Sequence, residues 1–309
     1  MMMKRDVEFK SRGHVCRGCF YTPDKGKAPF PVIVMAGGWC YVKEIVMPYY
    51  AEYFVKEGLA ALNFDYRCFG GSDGEPRLHI DPYEQIEDYK NAISFVQTLP
   101  EVDPERVGIW GISYSGGHVL ITGATDPRVK CIVSTIPVVD GYENMVRAHG
   151  TMGFRKLMKA VMDDRKKRFE NEAARGFLPH AVPDPDKTLS VWPFPETYET
   201  FLQIQKTEAP KYDFLSTIES TELLMSYNIS PYLPRILDIP TLMLVAEGDD
   251  LVCWDLEIKA FNEIATAKKK LFIIPETGHM TLYSDKSKLK MAAEVAAAWQ
   301  VEHLIKPYE

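Results

Sequence analysis

Ten residues, Gly-Ile-Trp-Gly-Ile-Ser-Tyr-Ser-Gly-Gly at positions 108–117, constrain the fold more than any other stretch. The run 106–110 before them is short and apolar, the pattern of a buried strand. Positions 115–121 after the turn read as the start of a helix rich in small residues. A strand that feeds a helix through so short a turn must bend sharply, and the two elements then lie close together. Small residues at 111, 115, 116 and 117 suit that crowding. Ser113 falls on the turn itself, where such geometry strains the backbone and exposes a hydroxyl as a nucleophile. The spacing departs from the common G-x-S-x-G: Ser115 takes the second glycine position, with Gly116 and Gly117 behind it.

The rest of the chain supplies the sheet such a turn needs. Residues 6–11 and 14–21 read as two strands joined across Arg12-Gly13, a hairpin signal. Residues 31–36 and 59–64 are unbroken or nearly unbroken apolar runs, as strands buried on both faces are. Helical spacing follows at 47–57, and again at 80–99 with Tyr83, Ile86, Tyr89, Ile93 and Val96 on one stripe. A further strand is expected at 129–136. After a long interruption the pattern resumes with strands at 240–246 and 270–274 and helices at 255–267 and 284–305. Helices alternating with apolar strands imply an α/β fold, a mostly parallel sheet with helices on both faces.

The interruption, residues 138–235, has helical patterns at 145–175, 196–204 and 219–226, separated by proline-rich stretches. It holds many aromatics and methionines, among them Met152, Met162, Phe169, Trp192 and Phe201. The expected organisation is a core of 1–137 and 236–309 with a helical cap inserted at 138–235. Most of these apolar residues should form the cap's own core. A cap over the strand ends also walls off a cleft.

Composition removes several function classes. Net charge is −7 and no basic cluster is large enough for a nucleic-acid footprint. No apolar run approaches the roughly 18 residues a membrane span requires, so no membrane partner is expected. No secretory signal is read at the start, and six scattered cysteines fit a reduced, cytoplasmic protein. Cys16 and Cys19 have C-x-x-C spacing but lie three apart in one strand, hence on opposite faces, and no second pair has metal-ligand spacing. No metal and no cofactor is expected; neither a phosphate loop nor a dinucleotide fingerprint is present.

A serine hydroxyl needs a base within hydrogen-bond reach, and the base needs an orienting carboxylate. The sheet offers one candidate for each role, always at the carboxyl end of a strand, where open parallel sheets place their sites. Ser113 follows 107–110, Asp249 follows 241–246 and His279 follows 271–274. Asp250 is the alternative carboxylate; the Asp-x-x-Val spacing favours Asp249. Two backbone N–H groups are expected to form the oxyanion hole: Tyr114, next to the serine, and Trp39, in the glycine turn after the first buried strand. His118 and His149 receive no role.

The segments 35–44, 64–74, 111–117 and 126–130 resemble the α/β-hydrolase superfamily, nearest its dienelactone-hydrolase-like and X-prolyl-peptidase-like esterases. They are also similar to the fungal polyketide transferases and thiohydrolases. The resemblance covers about 7–136 and 236–305, not the cap. Many members have His-Gly where this chain has Gly37-Gly38, which loses a side chain and keeps the backbone N–H. It implies a serine hydrolase that cleaves an ester or thioester of a hydrophobic acyl group through an acyl-enzyme. The same residues would serve an acyltransferase of the polyketide type, a C–C bond hydrolase or an amidase; a binding protein that kept the pocket without catalysis is the last alternative, and an intact triad argues against it. Epoxide hydrolases and haloalkane dehalogenases need an aspartate in place of Ser113. The expected partner is a small acyl substrate, and because capped members often pair, the expected assembly is a homodimer.

Overall fold

A computed structural model describes residues 2–308. The elements run in chain order: β1 (Met3–Ser11), β2 (His14–Thr22), β3 (Phe30–Ala36), α1 (Met47–Lys56), β4 (Ala60–Phe64), α2 (Pro82–Val96), β5 (Val102–Ile112), α3 (Tyr114–Thr125) and β6 (Val129–Thr135). Then come α4 (Gly141–Glu170), β7 (Phe177–Pro179), α5 (Pro195–Thr207), β8 (Leu215–Thr217) and α6 (Ile218–Met225). The chain closes with β9 (Thr241–Ala246), α7 (Trp254–Glu263), β10 (Lys269–Ile274), α8 (Thr281–Ser284) and α9 (Lys286–Leu304).

Eight strands form one sheet in the order β1-β2-β4-β3-β5-β6-β9-β10. The hairpin strand β2 runs antiparallel to β1 and β4, and the remaining pairs are parallel. Every residue of β4 and β9 is buried, so helices cover both faces. The strand order reverses between β3 and β5, and because β3, β5, β9 and β10 run parallel, the loops after them open at one edge.

Local chemistry explains where elements begin. The α2 helix starts at Pro82 because Asp81 caps it, its carboxylate accepting the N–H groups of Tyr83 and Glu84 at 2.8 and 3.2 Å. Tyr83 does not join the buried stripe: it is 50% exposed. The stripe runs 82, 85, 86, 89, 93, 96, so Pro82 holds the position one turn above Ile86 and Tyr83 falls beside it. The α4 helix begins at Gly141, behind an Asp140 cap, and breaks at Gly150, whose φ of 59° and ψ of 176° are not helical. It ends five residues before the expected 175.

Between β6 and β9 the apolar residues divide. Trp192 and Phe201 are buried, whereas Met152, Met162 and Phe169 are 66%, 41% and 93% exposed and form no core. The short antiparallel pair β7–β8 was not expected from the sequence: three residues are too few for a period to register. No helix among the described residues is long and apolar enough to cross a membrane.

Candidate active site

The turn between β5 and α3 puts Ser113 at φ 58°, ψ −119°, a strained conformation for a residue with a Cβ. Its neighbours hold it there: Ser113 N–H donates to Thr135 O at 2.9 Å, and its own carbonyl accepts from Gly116 and Val138 at 2.9 and 3.1 Å. A Cβ on Gly111 would come 2.1 Å from Ser115 O, so only glycine lets strand and helix approach this closely.

The loop after β9 delivers Asp249. Its Oδ1 accepts the amides of Leu251 and Val252 at 3.1 and 3.0 Å, which turns Oδ2 toward His279 Nδ1 at 2.7 Å. Asp250 is exposed and does not face the imidazole. The loop after β10 delivers His279 and is tied to the Asp249 loop by Gly248 N–H to Thr277 O at 2.9 Å. His279 Nε2 lies 3.2 Å from Ser113 Oγ. Hydroxyl, imidazole and carboxylate are 6%, 4% and 1% exposed, so water competes little for their hydrogen bonds.

The amides of Trp39 and Tyr114 have no hydrogen-bond acceptor among the described residues. Tyr114 opens α3, so its N–H is one of the donors a helix leaves free. Trp39 follows Gly38, whose carbonyl accepts Tyr41 N–H at 3.3 Å. A Cβ at position 38 would fall 2.9 Å from Ser113 Cβ and 3.2 Å from Oγ, so glycine alone lets this loop abut the serine.

Ser115, the departure from the usual motif, bridges the two loops. Its hydroxyl donates to Gly37 O and accepts from Tyr66 OH, the latter at 2.5 Å. That bond fixes the Gly37–Gly38 peptide, and with it the path that leads to Trp39 N–H. Replacing Ser115 by alanine is expected to lower kcat about tenfold, the worth of one buried hydrogen bond in the transition state, with little change in KM. Steady-state kinetics on a substrate the unsubstituted protein turns over checks this; an unchanged kcat, or a rise in KM as large as the fall in kcat, would refute the bridging role.

His118 is fully buried in α3, bonded to Tyr227 OH and Gln85 Oε1 at 3.0 Å each, and burial pushes its pKa down to about 3. It is a neutral strut behind the elbow. His149 is half-buried, with Nε2 3.0 Å from Val191 O. Neither touches Ser113.

Glu257 on α7 is fully buried and neither carboxylate oxygen has a hydrogen-bond partner. Burial first, then the charge of Asp249, holds its carboxyl well above the ordinary 4.5. The folded protein therefore keeps a proton that the unfolded chain releases above about pH 4.5, and stability falls as pH rises toward the folded pKa. Glu257→Gln keeps the shape and removes the titration. Its melting temperature is expected to fall less than that of the unsubstituted protein between about pH 5 and 8. Parallel pH dependences by differential scanning fluorimetry would show that Glu257 does not titrate in this way.

A narrow cleft beside Ser113 and His279 is lined also by Trp39, His180, Trp192 and Thr197. The serine at an elbow, at the carboxyl edge of a sheet of this order, defines the class: the chain has the α/β-hydrolase fold. It belongs to the X-Pro dipeptidyl-peptidase (S15) family, whose profile matches residues 19–281. It is similar to the quorum-quenching protein AidA of Acinetobacter baumannii, 41% identical over 52% of each chain. That match spans only about half of the relative's length. Thiohydrolase apmlB of Arthrinium phaeospermum is 31% identical over 81% of each chain. Among solved structures, the hypothetical protein PA2218 of Pseudomonas aeruginosa superposes with a TM-score of 0.82 at 25% identity, covering 98% of this chain and 94% of that one.

Three residues around the site were faint or silent in the sequence. Ser115 is visible only as a misfit to a motif. His180 and Thr197 lie in the interruption between β6 and β9, where no period marks a residue that faces a cavity.

Proposed function

We propose that the protein is a serine hydrolase that cleaves a carboxylic ester or thioester of a hydrophobic acyl group. In this reading Ser113 attacks the carbonyl carbon while His279 takes its proton. Asp249 holds the imidazole in the tautomer with Nδ1–H and stabilises the imidazolium that forms. The Tyr114 and Trp39 amides donate to the oxyanion of the tetrahedral intermediate. His279 then protonates the leaving alcohol or thiol, leaving an acyl-enzyme that water hydrolyses by the same steps in reverse roles.

One observation carries the reading: the hydrogen-bond chain from Ser113 Oγ to His279 to Asp249, at 3.2 and 2.7 Å. The segment between β6 and β9 acts as a lid, since His180, Trp192, Thr197 and Phe201 of that segment close the cavity over the serine. The test is release of thiol from short acyl thioesters together with covalent labelling of Ser113 by a fluorophosphonate. No turnover and no label would refute it.

The burial of Ser113 also favours a second reading, acyl transfer to an alcohol in a pocket that admits little water. Product analysis with and without added alcohols separates the two.

A further inference from the structure

Besides the proposed triad, the cleft is lined by the polar side chains of Trp39, Tyr41, His180, Trp192 and Thr197, and the last three come from the lid. His180 follows β7 and is 3% exposed. Its backbone is fixed on both sides: its N–H donates to Phe214 O at 2.5 Å, and its carbonyl accepts from Trp192 at 2.9 Å. Its ring packs 4.8 Å from Phe201, and Nδ1 is bonded to Tyr212 OH. Thr197 lies in the first turn of α5, 1% exposed, and its hydroxyl has no hydrogen-bond partner. A threonine there ordinarily returns its hydroxyl to a nearby backbone carbonyl.

The tautomer of His180 follows from counting. If Tyr212 donates to Nδ1, the phenol proton is used and one group is left over, the Nε2–H. If Nδ1–H donates instead, the buried phenol proton and the Nε2 lone pair are both left without partners, since neither has another among the described residues. Buried polar groups are paired wherever the fold permits, so the first arrangement prevails. Burial pushes the pKa of His180 down to about 3, which keeps the ring neutral at ordinary pH.

We propose that His180 Nε2–H and the Thr197 hydroxyl form a hydrogen-bonding subsite for an oxygen carried on the acyl chain. The preferred substrates are then hydroxyacyl or oxoacyl groups, not plain alkyl chains. This rests on the hydrolase reading above. A plain chain would bury both groups unpaired, and sites built to hydrogen-bond a substrate reject the analogue lacking the partner. Trp39 Nε1, also buried without a partner and lining the same cavity, is a third donor available to such an oxygen.

The experiment compares N-acetylcysteamine thioesters of butanoic, 3-hydroxybutanoic and 3-oxobutanoic acids by thiol release. The unsubstituted protein is expected to favour at least one oxygenated thioester by about tenfold or more in kcat/KM. His180→Phe, which keeps a ring without the donor, should collapse that ratio; His180→Gln, which keeps an N–H, should restore part of it. Thr197→Val provides a second route to the same collapse should His180→Phe not fold. Turnover of all three at similar kcat/KM, or a ratio unchanged in the folded variants, overturns the subsite and leaves the hydrolase reading intact. Absence of turnover of all three overturns the subsite; absence of fluorophosphonate label on Ser113 overturns the hydrolase reading as well.

Discussion

Ser113→Ala is expected to lower kcat/KM for a short acyl thioester by about 10⁴-fold or more and to abolish labelling by a fluorophosphonate. Without Oγ no acyl-enzyme forms, and His279 has no proton to take. The residual rate would come from the amides of Trp39 and Tyr114, which polarise a carbonyl without a nucleophile. The substitution removes one oxygen from a position that the backbone, not the side chain, holds strained: Ser113 N–H and C=O keep their bonds to Thr135, Gly116 and Val138. The fold should therefore survive, and circular dichroism with an unchanged melting curve checks that. A variant that keeps a tenth of the activity would place the nucleophile elsewhere, and the hydrolase reading with it. Loss of label with retained turnover would mean that the measured thioester reaches its product without an acyl-Ser113 intermediate.

Sheet and site were legible to different depths because different physics specifies them. Strands buried on both faces, such as 31–36 and 241–246, leave an unbroken apolar run that needs no context to read. Ser113, Asp249 and His279 could be named because each is the residue a strand end presents, and a parallel sheet brings its strand ends together whatever the loops do. The Asp-x-x-Val spacing leaned toward Asp249 over Asp250, and the turn gives the reason: the amides of Leu251 and Val252 occupy one oxygen of Asp249 and aim the other. Tyr83 failed for a subtler reason. A helical stripe has two edges, and with Pro82 at the first helical position on the buried stripe, Tyr83 falls one residue off it. The segment between β6 and β9 was least legible. Its helices were found but their ends were displaced, because Asp140 and Gly150 act through backbone geometry that periodicity does not register. His180 reaches the cleft beside Ser113 only through tertiary packing: Phe201 and Tyr212 steer its ring, and nothing near position 180 in the sequence announces it.

Asp249→Asn is expected to lower kcat by about 10⁴-fold, with Asp250→Asn changing it less than about threefold. The asymmetry follows from geometry. Asp249 Oδ2 takes His279 Nδ1–H at 2.7 Å, which leaves Nε2 unprotonated and facing Ser113 Oγ. Asparagine fits the same turn, because its carbonyl oxygen can still accept the amides of Leu251 and Val252. Its NH₂ group then faces Nδ1 and donates to it, which moves the ring proton to Nε2. The imidazole in that tautomer cannot take a proton from Ser113, and the imidazolium that forms during attack loses its counter-charge. Asp250 is exposed on the outer side of the turn and its charge is screened by water. Binding should change little, so KM is expected to stay within a few fold while kcat falls. Steady-state kinetics of both variants on one thioester decides the matter. Equal, modest losses would mean that neither carboxylate orients His279; a large loss only in Asp250→Asn would require the loop after β9 to reorganise before catalysis, with the carboxylate at 250 turning inward.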